Sequence, residues 1–292
     1  MQCSEFVDIC AEKVRVTMDI WKFAAFSDGE TGGNPAGVSI GNRLPAENQM
    51  REIAAQLGFS ETAFAAPVDG AWRVRYFSPE SEVPFCGHAT IALGAALAMQ
   101  QGDGVFPLNL NHAKITVEGR RQGNMIAAAL QSPPTHSKPV QPVLLEQVLS
   151  LFSYTARDLN LRLPPALVHG GAQHLLLVLN SREQLKAMHY QLEAGRVLMN
   201  EAGLVTIILA YAENAQLFHV RNPFASGGVY EDPATGAAAA ALAGYLRDLH
   251  WPHGGAINIK QGEDMGMPSR IHAEISPIIR SSIRVSGTAR ML

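Results

Sequence analysis

Two short stretches of the chain place reactive side chains at the start of a helix built from small residues. Residues 231–237 (Glu-Asp-Pro-Ala-Thr-Gly-Ala) lead into an alanine-rich helix, and residues 85–90 (Phe-Cys-Gly-His-Ala-Thr) lead into another. The first turn of a helix has unpaired backbone N–H groups and the positive end of the dipole, so it binds anions readily. Two such helix starts predict a carboxylate-bearing small molecule held between two similar halves.

Two titratable side chains, Glu61 and His88, are candidates for proton transfer. Glu61 lies between a helix end and an apolar strand, and a carboxyl group against apolar walls is suited to taking and returning a proton near neutral pH. The alternative is an exposed carboxylate at a strand end. His88 lies in the first turn of its helix, where the dipole disfavours imidazolium. The alternative is a core histidine bonded to the backbone.

Asp232 and Cys86 each allow two interpretations. Asp232 could hold the substrate's amine or fix the tautomer of the histidine, or it could cap the helix that follows. A thiol at a helix start has a lowered pKa, so Cys86 could act as a base. It could equally be a small residue needed for packing.

The composition excludes several classes of protein. Hydrophobic residues make up 47% of the 292 residues, charged residues 17%, and the net charge is −3, as in a globular protein with an ample core. The sequence has no Lys/Arg-rich block, so we expect no nucleic-acid partner. The longest apolar runs are too short for a bilayer, and the N-terminus lacks a signal-peptide pattern, so we expect a cytoplasmic protein without a membrane partner. We assign no function to residues 1–17, which precede Met18.

The sequence also predicts no metal and no cofactor. The ten histidines show no metal-ligand spacing, and His250 and His253 flank a proline in a loop. Cys3, Cys10 and Cys86 are too widely spaced for a zinc motif or a disulfide framework. The glycine-rich stretch 29–37 lacks the order of glycines that nucleotide-binding loops require.

Hydrophobic periodicity predicts strands with one alanine-rich helix in each half. The expected strands include 19–26, 36–40 and 71–77, and a helix is expected over 45–57. Residues 132–142 contain four prolines and are interpreted as the crossing between the halves. A helix of alanine and glycine has no wide polar face, so it is expected to be buried inside its own half-barrel of strands.

Several motifs, in order along the chain, resemble those of the PhzF family of phenazine-biosynthesis-like proteins, which share their fold with diaminopimelate epimerase. The resemblance extends from Met18 to the closing residues 287–290. The motifs are 33–36 (Gly-Asn-Pro-Ala), 58–64 (Gly-Phe-Ser-Glu-Thr-Ala-Phe), 75–79 (Arg-Tyr-Phe-Ser-Pro), 82–90 (Glu-Val-Pro-Phe-Cys-Gly-His-Ala-Thr) and 231–236 (Glu-Asp-Pro-Ala-Thr-Gly).

The resemblance implies an α+β fold of two pseudo-symmetric halves, each a barrel-like sheet around a central helix, with the active site in the cleft between them. The N-terminal half is expected at 1–131, joined by the last strand at about 281–292, and the C-terminal half at 140–280. Characterised members are homodimeric, cofactor-independent isomerases that move a proton on a small cyclic amino acid. By motif position, Glu61 is the acid/base glutamate, and His88 and Asp232 are its catalytic partners.

Further site residues follow from the helix starts and the motifs. Substrate binding is expected at Asn34, Gly87, Thr235, Gly236 and Ala237, with Cys86 as a secondary catalytic candidate. The phenazine enzyme has serine where this chain has Ala237, and many relatives have arginine where this chain has Met267. Both differences remove hydrogen-bonding groups from expected substrate positions.

The leading hypothesis is a cofactor-independent isomerase acting on a small carboxylate-containing metabolite, with Glu61 as the acid/base. An epimerase or racemase that uses Cys86 is an alternative. Diaminopimelate epimerases use two cysteines, one at each helix start, and the second helix start of this chain has none. The third possibility is a small-molecule-binding or scaffold protein that kept the fold without turnover.

Overall fold

The computed structural model describes residues 5–6 and 19–292, and this part of the chain divides into two compact units. Unit 1 contains residues up to Ala25, then Pro35–Leu130 and Thr288–Leu292; unit 2 contains Phe26–Asn34 and Gln131–Gly287. Residues 26–34, which the sequence placed in the N-terminal half, therefore cluster with unit 2. Cys3, Cys10 and most of the unassigned segment 1–17 lie outside the described residues.

Unit 1 contains ten strands, four of which (β2, β3, β9 and β18) extend into unit 2, and two helices. The strands are β1 (Glu5–Phe6), β2 (Asp19–Ser27), β3 (Asn34–Ile40), β4 (Glu61–Val68), β5 (Ala71–Phe77), β6 (Glu82–Val83), β7 (Gly104–Asn109), β8 (Lys114–Gln122), β9 (Met125–Gln131) and β18 (Arg284–Met291). The helices are α1 (Glu47–Leu57) and α2 (Gly87–Gln101). The strand order β2-β3-β4-β5-β7-β8-β9-β18 returns to β2, so the sheet closes around α2.

Unit 2 has the remaining strands and helices. Its strands are β10 (His136–Pro139), β11 (Ala166–His169), β12 (Gln173–Leu179), β13 (Thr206–Ala212), β14 (Leu217–Phe224), β15 (Val229–Asp232), β16 (Ala256–Gln261) and β17 (Ser269–Glu274). Its helices are α3 (Pro142–Leu151), α4 (Arg182–Lys186), α5 (Leu192–Glu201) and α6 (Gly236–Asp248). Short 3-10 turns occur at Ala156–Asp158, Ala225–Gly227 and Glu263–Met265.

The two units repeat one pattern of strand pairing. In unit 1, β3 and β4 are parallel, β4 and β5 antiparallel, β5 and β7 parallel, and β7, β8 and β9 antiparallel. In unit 2, the series β12, β13, β14, β16, β17 and β18 follows the same sequence of directions. In unit 1, the short strand β6 and then helix α2 connect the parallel strands β5 and β7. In unit 2, β15 and α6 connect the parallel strands β14 and β16 in the same way. This repetition confirms two similar halves, each with one helix wrapped by sheet.

Close approach of helix and sheet explains why α2 and α6 consist of small residues. Every residue of α2 from Gly87 to Ala98 is buried, as is every residue of α6 from Gly236 to Arg247. A Cβ atom on Gly119 of β8 would lie 2.2 Å from the carbonyl oxygen of Gly94 in α2, and one on Gly170 would lie 2.7 Å from that of Ala237 in α6. Larger side chains at these contacts would push the sheet off its helix.

The proline-rich stretch 132–142 is not only a connection. Its residues His136–Pro139 form strand β10, which pairs with β11, and Pro142 begins α3. A proline at the end of a short strand or in the first turn of a helix removes no required hydrogen bond, so four prolines are compatible with regular structure here. None of the helices in the described residues is long and apolar enough to cross a membrane.

Candidate active site

The first cluster of candidate residues lies in unit 1, where a strand and a helix begin side by side. Glu61 is the first residue of β4, and its parallel neighbour on β3 is Ala36. Cys86 is the N-cap of α2, with extended backbone angles (φ −136°, ψ 116°), and His88 is the second residue of that helix. All three side chains are buried, so their reactions would occur away from bulk water.

The distances within this cluster allow direct interaction. His88 Nε2 lies 3.5 Å from Glu61 Oε2 and 3.3 Å from Ser60 Oγ. Cys86 Sγ lies 3.3 Å from His88 Nδ1 and 3.9 Å from Nε2, so the thiol is close to both ring nitrogens. In the tautomer that carries its proton on Nε2, the imidazole donates toward Ser60.

Burial keeps His88 neutral. It lowers the pKa of His88 from 6.5 to about 3, because the imidazolium would lose its hydration inside unit 1. The contact with Glu61 at neutral pH is therefore between a carboxyl group and a neutral imidazole, not an ion pair. This agrees with the expectation of a neutral imidazole at the helix start, although desolvation is the cause that the structure identifies.

The same three side chains are also the group in the described residues that could hold a metal ion. Glu61, Cys86 and His88 each offer one donor atom, and these atoms lie within 4.8 Å of one another. Carboxylate, thiolate and imidazole are the donors that zinc prefers. The prediction of no metal considered the spacing of histidines and cysteines along the chain, and it stays a prediction.

The second cluster lies in unit 2, where strand β15 ends and α6 begins. Asp232 accepts a hydrogen bond from the Asn34 side-chain amide (Nδ2 to Oδ1, 2.7 Å) and another from the Thr235 hydroxyl (2.5 Å). Asn34 also donates to the carbonyl oxygen of Ala234. Thr235 is the N-cap of α6, with no side-chain cap bond, and Gly236 is the first helical residue.

Asp232 is held by side-chain donors in a buried position. Burial raises its pKa from 3.8 to about 7, although the bonds from Thr235 and Asn34 act in the opposite direction. The carboxyl group therefore titrates near neutral pH. None of the hydrogen bonds to its carboxylate described above comes from a backbone N–H of the helix, so the simple capping interpretation does not account for them.

Gln261, at the end of β16, completes this cluster and was not identified from the sequence. Its amide nitrogen donates to the carbonyl oxygen of Asp232 (2.7 Å) and to Thr235 Oγ1 (3.0 Å), and its Oε1 accepts from the Thr235 N–H (3.2 Å). It thus fixes the backbone that leads into α6. Nothing in the local sequence signals this role, because the contact depends on the pairing of distant strands.

Each helix start is supported by a glutamate–arginine pair at equivalent positions. Glu82 accepts two hydrogen bonds from Arg75 on β5 (2.8 and 2.5 Å), and Glu231 accepts two from Arg221 on β14 (3.0 and 2.5 Å). Each glutamate precedes the first residue of its helix, Gly87 or Gly236, by five positions. These two-point contacts fix the short strand that leads into each helix.

The predicted site residues therefore form two clusters, one in each unit. Glu61, His88 and Cys86 are brought together in unit 1, and Gly87 begins α2 beside them. Asn34, Asp232 and Thr235 are brought together in unit 2, followed by Gly236 and Ala237 as the first two residues of α6. Ser60, Gln261 and the two arginines were not among the predicted site residues.

Comparison with known proteins assigns the chain to a family. The family model described as phenazine biosynthesis-like protein (PhzC-PhzF) matches residues 23–292. The chain belongs to the phenazine biosynthesis-like family. It is 31% identical over 278 residues to the trans-2,3-dihydro-3-hydroxyanthranilate isomerase of Pseudomonas aeruginosa, a match that covers 90% of this chain and 93% of the relative. It is 30% identical to an uncharacterised isomerase of Deinococcus radiodurans, over 86% of this chain and 85% of that one.

Solved structures with the same fold confirm the predicted fold class. A PhzF-family phenazine biosynthesis protein from Bacillus anthracis matches with a TM-score of 0.80 at 20% identity, covering 94% of this chain and 96% of that one. A hydroxyproline epimerase from Agrobacterium vitis matches with a TM-score of 0.65 at 12% identity, covering 94% and 89%. The fold is diaminopimelate epimerase-like, and the chain is an isomerase of this family.

Proposed function

We propose that this isomerase moves a proton between two carbon atoms of a small cyclic, carboxylate-bearing metabolite without a cofactor, with Glu61 as the acid/base. The observation that carries the proposal is the buried contact of Glu61 Oε2 with the neutral His88 ring at 3.5 Å. A buried carboxyl group at the start of a strand, beside a neutral imidazole and away from bulk water, is suited to exchange a proton with carbon.

The proposed reaction is a proton shift that leaves the molecular formula unchanged. The Glu61 carboxylate takes a proton from one carbon, and the electron pair of that C–H bond forms a new double bond to the adjacent carbon. The electron pair of the original double bond moves to its far carbon, and the glutamic acid so formed returns the proton there. His88 Nε2, 3.5 Å from the carboxylate, orients it between the two steps.

We assign the Asp232 cluster of unit 2 to substrate binding. Asn34 and Thr235 hold the Asp232 carboxyl group, and the backbone N–H groups at the start of α6 suit an anionic substituent of an amino-acid-like ring. Trans-2,3-dihydro-3-hydroxyanthranilate, which the Pseudomonas aeruginosa relative's name specifies, is one candidate. Ala237 and Met267 replace hydrogen-bonding residues expected from the family pattern, so other cyclic amino acids belong in the same test.

The experiment incubates the chain in D₂O with trans-2,3-dihydro-3-hydroxyanthranilate, proline and trans-4-hydroxyproline, and locates deuterium in the products by NMR. The proposal expects deuterium at a carbon different from the one that lost its proton. Deuterium returned only to the carbon that lost its proton would contradict the proposal, and so would a chain that neither converts nor labels any of the three compounds. Proline and trans-4-hydroxyproline have no double bond, so conversion of either one is an epimerisation.

A thiol-dependent epimerase is the second candidate, because Cys86 Sγ lies 3.3 Å from His88 Nδ1. A neighbouring imidazole can activate a thiol as a base. The equivalent position at the second helix start is Thr235, which has no thiol. The same NMR experiment separates the two functions, since an epimerase returns deuterium to the same carbon with inverted configuration.

The homodimer and the cytoplasmic location stay predictions from the sequence. Light scattering of the purified chain tests the first, and fractionation of the producing cells tests the second. A monomer at micromolar concentration would contradict the family-based expectation.

A further inference from the structure

Asn222 is a buried polar residue in strand β14, between Arg221 and Pro223. Its exposure is 0%, and neither Nδ2 nor Oδ1 has a hydrogen-bond partner within the described part of the chain. A buried amide without partners costs stability, and folded proteins keep few such groups. Asn222 therefore requires an explanation beyond packing.

The pairing of β14 with β15 places Asn222 beside the second cluster. Asn222 is directly opposite Asp232 in this antiparallel pair. Directly opposite residues project from the same face of the sheet, with Cβ atoms about 4.5–5.5 Å apart. The free amide therefore lies on the face where the Asp232 carboxyl group meets Asn34 and Thr235.

The equivalent position in unit 1 shows what a purely structural residue does at this place. There, Tyr76 is opposite Val83, and its hydroxyl oxygen lies 2.7 Å from Thr90 Oγ1 in the first turn of α2. Thr90 follows Gly87 by three positions, and the residue three positions after Gly236 is Ala239. In unit 2 a short amide thus replaces the ring, and a methyl group replaces its hydroxyl partner.

We propose that Asn222 recognises a hydroxyl group of the substrate. An amide presents a donor and an acceptor side by side, and a hydroxyl group can satisfy both, whereas an ammonium group only donates and a carboxylate only accepts. Burial strengthens the discrimination, because a substrate without the hydroxyl leaves the amide unpaired. This inference rests on the proposed function and narrows its substrate class to hydroxylated cyclic amino acids.

The test compares wild type and Asn222→Leu on two substrate pairs that differ by one hydroxyl group. The pairs are trans-2,3-dihydro-3-hydroxyanthranilate with its 3-deoxy counterpart, and trans-4-hydroxyproline with proline. Wild type is expected to prefer the hydroxylated member of the pair it processes by about tenfold or more in kcat/KM. The variant should lose most of that preference, while its ligand-free melting temperature stays the same or rises because an unpaired amide has been removed.

Tyr76→Phe is the matched control at the equivalent position. It should lower the melting temperature by a few degrees through loss of the Thr90 contact, and it should leave the substrate preference unchanged. An equal preference in wild type and Asn222→Leu, with wild type active, would overturn the role of Asn222 and leave the proposed function intact. A wild-type chain inactive on both pairs would contradict the proposed function itself, and this inference with it.

Discussion

The starts of helices α2 and α6 follow one plan but contain different chemistry. In unit 1, Glu61 begins β4 and His88 is the second residue of α2. The strand registers pair Phe64 with Arg75 in unit 1 and Leu209 with Arg221 in unit 2, so Thr206 is the counterpart of Glu61. The counterpart of His88 is Ala237. Glu61 and His88 of unit 1 therefore have no titratable counterparts in unit 2.

Unit 2 instead concentrates groups that form fixed hydrogen bonds. Thr206, at the place of Glu61, bonds to the buried His174 ring at 2.8 Å. The Asp232 carboxyl group accepts hydrogen bonds from the Asn34 amide and the Thr235 hydroxyl. Gln261 of β16 donates to the backbone carbonyl oxygen of Asp232. A duplicated fold can thus assign proton transfer to one copy and recognition to the other, which a symmetric two-thiol epimerase does not do.

The largest expected effect concerns the acid/base of unit 1. Glu61→Gln should reduce the proton-exchange rate by about a hundred- to ten-thousand-fold, because the amide keeps the shape of the carboxyl group but accepts no proton at neutral pH. Cys86→Ala should retain much of the activity if the thiol mainly packs against His88. Deuterium incorporation from D₂O measures both.

Glu80→Gln is the control for this comparison, since Glu80 is exposed in the same unit. Melting temperatures of all three variants show whether folding is retained. If Cys86→Ala is inactive and Glu61→Gln active, the thiol-dependent epimerase becomes the better account.

Local sequence signals were sufficient to predict the helix starts. The alanine-rich runs after Gly87 and Gly236 indicated two buried helices, and both exist as α2 and α6. Cys86 and His88 are two residues apart, so their proximity at a helix start follows from the chain itself. Composition and short spacing along the chain are therefore sufficient to predict where a buried helix begins and which side chains meet there.

Contacts between distant strands could not be predicted in the same way. Asn34 and Asp232 are 198 positions apart, and Arg221 meets Glu231 only because of the register of β14 and β15. The role of Gln261 depends on where β16 ends beside β15. Register is set by the packing of whole sheets, and a single sequence does not specify it locally.

The next largest effect concerns the two glutamate–arginine pairs. Glu231→Gln should lower the free energy of unfolding by about 3–5 kcal/mol, because it leaves the buried Arg221 guanidinium without its counter-charge. Glu82→Gln should cost about 1 kcal/mol or less, since the Arg75 and Glu82 side chains are 18% and 21% exposed and Arg75 also binds Glu47. Urea unfolding measures both, and equal losses would contradict the difference in burial.

A smaller effect is the opposite pH dependence of the two clusters. The pKa of His88 is lowered to about 3, so its contribution to stability is complete above pH 6.5 and is lost as the pH falls toward 3. The pKa of Asp232 is raised to about 7, so its contribution is present below pH 3.8 and is lost as the pH rises through 7.

Melting curves between pH 5 and pH 8 test these signs. His88→Asn should gain stability relative to wild type as the pH falls below about 6.5. Asp232→Asn should gain relative to wild type as the pH rises, because its amide can still accept from Asn34 and donate to Thr235. Parallel pH profiles for both variants would contradict the opposite directions of the two pKa shifts.

The smallest expected effect tests whether Ser60 matters to the proton-transfer cluster. Ser60 Oγ lies 3.3 Å from His88 Nε2, and its counterpart before Thr206 is Val205, which has no hydroxyl. Ser60→Ala should lower kcat/KM by about tenfold or less, in line with the 0.5–1.5 kcal/mol of a neutral hydrogen bond. The melting temperature should barely change, because Ser60 is only partly buried. A loss as large as that of Glu61→Gln would make Ser60 part of the proton path and not only a partner of the imidazole.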